Sequence, residues 1–211
     1  MNLDGVAFSK IDNADNEILC REFSEHEILE VVGQCGSNKS PGPDCYNFRY
    51  IKNKWDIIGV DMINVIHCFY VSGYILKGCN ASFISLVPKK VNPTSFNEYR
   101  PISLVGCVYK LIVKLLANRL RRVPPKVIDK HQTFFVSGRG MMDSVLIANE
   151  TMNFLKKENL KAVIVKVDYG KAFDLVDWDF FIYMMERMGF SVKWIKWIKT
   201  CLTSATISVF D

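Results

Sequence analysis

The sequence predicts a helix-rich α/β (α+β) fold, and three observations predict it. Apolar residues recur at helical spacing over several segments longer than ten residues. Residues 81–87 (ASFISLV) alternate apolar and polar side chains, as a half-buried strand does. Residues 162–168 form a β-branched run that ends in a carboxylate, Asp168.

The elements follow in order. Residues 1–23 read as an irregular, acidic N-terminal segment. Ser24-Glu25-His26-Glu27 is a capping box, with Ser24 as N-cap and Glu27 at the third helical position. The helix it starts runs through Ile28, Leu29, Val31 and Val32 and ends at Gly33 or Gly36. Residues 37–44 (SNKSPGPD) are a turn-rich loop with a structural role. A helix over about 48–71 places Ile51, Trp55, Ile58, Met62, Ile66 and Phe69 on one side, and Gly73 closes it. The strand of residues 81–87 stops at Pro88 and leaves Lys89 and Lys90 at its exit. Arg100-Pro101 opens a long helix to about Val123, which Pro124-Pro125 stops. A further helix covers about 141–158. Then come the strand of 162–168, a helix of about 178–188 ended by Gly189, another of about 191–202, and a last strand of about 205–210.

Composition narrows the function classes. A chain with 49% apolar residues buries a core and is not disordered. The net charge of +5 is unevenly spread. Residues 1–36 hold eight acids against two bases, and residues 77–130 hold eleven bases against two acids. The basic middle fits either a polyanion partner or a solvated helix face. Seven scattered cysteines without Cys-x-x-Cys spacing argue against a zinc site. Their odd count and the lack of a signal peptide point to reduced thiols in the cytosol or nucleus, not to secretion. The stretch 60–76 still holds Asp61, Asn64 and His67, so it reads as a core-facing helix and not as a membrane span.

The motif with most chemistry is KVDYGKAFD at residues 166–174. A strand that ends in a carboxylate at a sheet edge can hold a divalent metal against a phosphate. Six blocks in order carry a resemblance: Ser40-Pro41-Gly42-Pro43-Asp44; ISLVPK at 84–89; YRPISL at 99–104 with Tyr109-Lys110; LANRL at 116–120; Gln132 with Phe135-Val136 and Gly138-Arg139; and KVDYGKAFD with Val176-Asp177-Trp178. From about Phe23 to Val209 the chain resembles the reverse transcriptase of a non-LTR (LINE-type) retrotransposon, of the plant kind.

The resemblance implies a right-hand polymerase fold. Residues 24–160 would be the fingers region and residues 161–211 the start of the palm. It implies an RNA template, a DNA primer and deoxynucleoside triphosphates as partners. It also implies two magnesium ions, roughly 4 Å apart, held by Asp168, the Tyr169 carbonyl and an aspartate on a later hairpin. Asp168 is then the catalytic carboxylate. Phe173 would lie beneath the sugar and exclude a 2′-hydroxyl. Lys89 and Arg100 match the basic residues that clamp the triphosphate, a point charge and a planar fork. Lys110, Lys114, Arg119, Arg121 and Arg122 would follow a nucleic-acid backbone or form a wet helix side. Arg139 would reach the template or the incoming base, or cap a carbonyl.

Two residues depart from the family pattern. Cys45 stands where similar sequences have glycine, which costs about 1 kcal/mol if that turn needs positive φ. Gly170 stands where glutamate is common. The 211 residues end at Phe210-Asp211 without the Asp-Asp hairpin. The expectation is a fragment of an RNA-directed DNA polymerase, inactive alone and prone to self-association through an unfinished palm. The alternatives are a non-enzymatic RNA-binding module and a non-functional retroelement relic.

Overall fold

The computed structural model describes residues 3, 5–129, 132, 136, 138–163, 165 and 175–209. The chain packs as two compact units. One comprises Met1–Asn16 and Leu120–Phe190, the other Glu17–Arg119 and Ser191–Asp211.

The first helix is α1 (Asn13–Cys20), within the segment read as irregular. Its start was written in the sequence. The Asp12 carboxylate accepts a 2.7 Å hydrogen bond from the backbone N–H of Asp15, an N-cap. Next comes α2 (Glu25–Gln34), and the Ser24 hydroxyl caps it by accepting from the Glu27 backbone N–H at 3.2 Å.

The single helix predicted over 48–71 is two, α3 (Phe48–Asn53) and α4 (Trp55–Ser72). Lys54 breaks them: its backbone leaves the helical region at φ −118°, ψ 20°. At the far end of α4, Gly73 takes the left-handed φ of 71° and its N–H donates to the Phe69 carbonyl, a C-cap that glycine makes without strain.

Strand β1 (Ala81–Pro88) falls where alternation predicts it. The helix predicted from Arg100 does not start there. Residues Tyr99–Val105 form a strand, β2, antiparallel to β1 with Pro88 opposite Tyr99 and Ser82 opposite Val105. The β-branched Ile102 and Val105 suit that pairing, and Pro101 is tolerated because β2 is an edge strand. Leu104, which the predicted helix would have included, pairs with Phe83.

The helix itself is α5 (Cys107–Leu120). It begins where the Asp44 carboxylate accepts a 2.5 Å hydrogen bond from the Cys107 N–H. Pro124 and Pro125 do not stop α5; they open a short helix, α6 (Pro124–Val127), where proline needs no N–H partner. Helices α7 (Met141–Lys157), α8 (Trp178–Arg187) and α9 (Val192–Thr203) match expectation. Strand β3 (Thr206–Val209) lies parallel to β1 and completes the order β2-β1-β3. The strand predicted over 162–168 falls mostly outside the described residues, and 162, 163 and 165 carry no strand.

The core of the larger unit is aromatic at its centre. Trp194 and Trp197 are almost fully buried, and the Trp197 ring lies 5.6 Å from Phe69 and 5.7 Å from Phe23. Helix α5 adds Leu111, Ile112 and Leu115, each at most 1% exposed. The other unit is tied by α1's leading residues: the Ile11 N–H donates to the Met188 carbonyl, and Lys126 pairs with Asp15 at 2.5 Å. No helix among the described residues is long and apolar enough to cross a membrane.

Candidate nucleic-acid interface

The β1–β2 hairpin brings two of the predicted residues to one end of the sheet. Arg100 stands across from Val87, and the Lys89 backbone N–H donates to the Glu98 carbonyl at 2.7 Å. Both side chains are exposed. The Lys89 ammonium donates to the Asn97 carbonyl at 2.7 Å, which anchors it over the connecting turn. Lys90 is neutralised locally by Glu98 at 2.6 Å. That hydrogen bond, with the Thr94 N–H, holds the Glu98 carboxyl below its usual range. The residues expected beside Lys89 and Arg100, namely Asp168, Tyr169 and Phe173, lie outside the described residues, as does Gly170.

Helix α5 separates the basic residues the sequence had grouped. Arg119, expected on a nucleic-acid backbone, is 3% exposed and cannot reach one. All five of its N–H donors are used. Nε and Nη2 grip the two carboxylate oxygens of Glu27, each at 2.8 Å, and the remaining donors reach the carbonyls of Leu19, Arg21 and Glu22. Its guanidinium also lies 3.9 Å from the centre of the Phe23 ring. Burial pushes the Glu27 carboxyl up, but the hydrogen bonds and charge of Arg119 outweigh it, and the group ends below its usual value.

Lys110 and Lys114 fare differently. With Lys39, they line a groove of about 400 Å³. Its walls are apolar, chiefly Phe48, Val105, Tyr109 and Val113, and among the described residues no carboxylate lines it. Lys110 donates to the Ser40 carbonyl at 3.5 Å. Burial pushes the Cys35 thiol of this groove up, and the positive charges of Lys114, Lys52 and Lys110 offset part of that rise. Lys39 was not among the expected residues. Its signal was its place in the SNKSPGPD loop, which folds against α5. Arg121 and Arg122 lie past the end of α5 and are exposed.

Arg139 also leaves the nucleic-acid set. Of the two places it fitted, it takes the second. Its Nη1 donates to the carbonyls of Asp129 and Gln132, and its Nη2 to those of Pro125 and Ile128. A guanidinium spent on four carbonyls clamps its own chain.

The SPGPD loop is structural, as read. Gly42 sits against the β2–α5 junction so closely that a Cβ there would lie 2.3 Å from the Val105 carbonyl carbon. Two residues on, Asp44 caps α5. Then Cys45 takes φ 58°, the positive value that glycine adopts freely and cysteine does not. The departure from the family's glycine therefore falls on the residue where it matters.

Among the described residues no three His, Cys, Asp or Glu side chains converge to hold a metal ion. All seven cysteines are free thiols. Burial pushes Cys107 and Cys201 up to about 12, with Asp44 adding to the effect at Cys107.

The sequence profile of the family described as Reverse transcriptase (RNA-dependent DNA polymerase) matches residues 87–210. The chain belongs to the reverse transcriptase family. The matched span opens at the β1–β2 hairpin and closes on β3, so it contains Lys89, Arg100 and the Asp168 motif together. Relatives come from mobile elements, in line with the non-LTR resemblance. The Transposon TX1 uncharacterized 149 kDa protein of Xenopus laevis is 30% identical over 179 residues, covering 85% of this chain and 14% of that protein. The RNA-directed DNA polymerase from mobile element jockey of Drosophila funebris is 25% identical over 154 residues, 71% of this chain and 17% of that protein. The probable RNA-directed DNA polymerase from transposon BS of Drosophila melanogaster is 27% identical over 173 residues, 77% of this chain and 18% of that protein. The chain thus spans less than a fifth of the length of each of these relatives.

Proposed function

We propose that these 211 residues are the fingers (24–160) and the beginning of the palm (161–211) of a non-LTR RNA-directed DNA polymerase, and that alone they hold nucleic acid without extending a primer. The observation that carries this reading is the family match over residues 87–210, within which one hairpin end presents both Lys89 and Arg100. In this reading Lys89 and Arg100 meet the triphosphate of an incoming deoxynucleotide. Asp168 and the Tyr169 carbonyl would hold magnesium, which supplies charge to activate a hydroxyl and steady a pyrophosphate. Phe173 would select deoxy sugars. A template-primer would lie against Lys39, Lys110 and Lys114, whose groove has lysines at its rim and apolar walls for a base. The 211 residues contain no Asp-Asp pair, and one carboxylate makes a weak magnesium site.

The test is primer extension on a homopolymer RNA template, run beside RNA binding across a salt series. The expected result is no magnesium-dependent incorporation together with salt-sensitive binding. Incorporation would overturn the claim of inactivity, and absence of binding at low salt would overturn the claim of a nucleic-acid surface. The acid-free groove also favours a second reading, an RNA-binding module with no catalytic role. Joining a palm segment that carries an Asp-Asp hairpin to these 211 residues separates the two, since only a polymerase piece gains incorporation.

A further inference from the structure

Two acid-free stretches of this chain come together in the fold. None of the 22 Asp and Glu residues falls in 62–97 or 191–209. These stretches meet within one unit. The Thr200 hydroxyl donates to the Gly73 carbonyl at 2.8 Å, and the Lys196 ammonium to the Ser72 carbonyl at 2.9 Å. Both bonds join α9 to the end of α4.

On the outer side of that junction α9 carries Lys193, Lys196 and Lys199, all exposed. Steps of three residues make them neighbours along one side of the helix. The inner side is fixed by Trp194 and Trp197, at 0% and 1% exposure, so the lysine row cannot rotate away. The row is interleaved with tyrosines of α4 and its following loop. The Lys193 ammonium lies 3.7 Å from the centre of the Tyr70 ring, and Lys196 lies 4.4 Å from that of Tyr74. Such cation–π contacts hold an ammonium in place and leave N–H donors for an anion. Tyr74 is 64% exposed. None of the three lysines has a carboxylate within ion-pair distance among the described residues.

We propose that Lys193, Lys196 and Lys199, with Tyr70 and Tyr74, form a second contact track for single-stranded RNA, separate from the α5 groove. The lysines meet successive phosphates, and the open Tyr74 ring stacks an unpaired base. Charge selects a polyanion, and aromatic rings set between the ammonium groups select one with flat bases over an acidic peptide. The choice of RNA rests on reading the chain as a reverse transcriptase piece.

The experiment is fluorescence anisotropy of the full chain with labelled oligo(U) of about 20 nucleotides, across a salt series. Lys196 is left intact because it caps α4. Lys193→Gln/Lys199→Gln is expected to weaken binding about fivefold to tenfold near 0.1 M salt and to lower the log–log salt slope by about 1.4. Tyr74→Ser, which removes no charge, is expected to weaken binding about tenfold and leave the slope unchanged. Lys193→Arg/Lys199→Arg restores the affinity. If both the glutamine and Tyr74→Ser variants bind as the parent does, while Lys110→Gln/Lys114→Gln weakens binding, the second track is refuted and the groove stands. If the groove variant is silent and the strip variants weaken binding, the track stands and the groove assignment falls. If the parent binds no RNA at low salt, both fall. Loss of binding to phosphatidylserine vesicles with RNA affinity intact would also refute the track and mark a membrane-facing strip.

Discussion

Helix α5 has two basic faces, and they do opposite things. On its inner face, Arg119 is sealed against Glu27, three carbonyls and the Phe23 ring. On its outer face, Lys110 and Lys114 line a groove with no carboxylate among the described residues. In sequence the three look alike, basic residues on an amphipathic helix. What separates them is a carboxylate far away along the chain. Glu27 lies on α2 and meets Arg119 only because both helices pack on one core. A guanidinium has the donors to satisfy such a pocket completely, whereas an ammonium has three and stays wet. The lesson is that charge on a helix marks a ligand surface only where the fold withholds a partner.

The comparison can be broken most forcefully at Arg119. Arg119→Met leaves Glu27 desolvated and unpaired, and a stability loss of about 3–5 kcal/mol in urea unfolding at neutral pH is expected. RNA affinity of the folded fraction should be unchanged. Lost affinity with intact stability would mean that Arg119 is a contact residue after all. The same pair has a pH signature. The Glu27 carboxyl is held below its unfolded value of 4.5, so its contribution is complete above that pH. It is lost as pH falls through the lower folded value. Glu27→Gln should flatten that part of the stability profile in an acid titration followed by circular dichroism.

A smaller effect is expected at the loop that sets the groove's edge. Gly42→Ala drives a Cβ into the Val105–Gly106 backbone and should destabilise by about 1–3 kcal/mol, read from the urea midpoint. If stability is unaltered, the close packing of the SPGPD loop on α5 is wrong. Three residues on, Cys45→Gly relieves the positive φ and should stabilise by about 1 kcal/mol. An unchanged or lower midpoint would show that the turn takes another conformation in solution.

The smallest change in stability belongs to the outer face. Lys110→Gln/Lys114→Gln should shift unfolding by less than about 0.5 kcal/mol. It should lower the RNA-binding salt slope by about 1.4. A large loss of stability would place these lysines with Arg119 and erase the contrast between the two faces.

Much of this architecture was legible from local chemistry. Ser24 and Ser191 cap the helices that follow them, and Gly73 and Gly189 take positive φ at helix ends. Those signals act within one turn of chain, so a few neighbouring residues suffice to read them. The β1 strand and helices α7, α8 and α9 were readable by the same means. The six ordered motifs pointed to the family before any fold was known. The resemblance marked Cys45 as a place where similar sequences have glycine, and the structure supplied the positive φ of 58° that makes the difference matter.

Packing settled the remainder. Residues 100–105 carry a pattern that suits helix or strand, and pairing with β1 chose the strand through hydrogen bonds to a segment outside any local window. Helix 48–71 broke at Lys54, a residue with no breaking signal of its own. Arg119 and Arg139 were withdrawn from the ligand surface by carbonyls and a carboxylate that folding delivered to them. Periodicity and caps are properties of a few successive residues, so a linear string holds them. Burial, strand pairing and the partner of a charge depend on distant residues coming together, and only the folded chain supplies that.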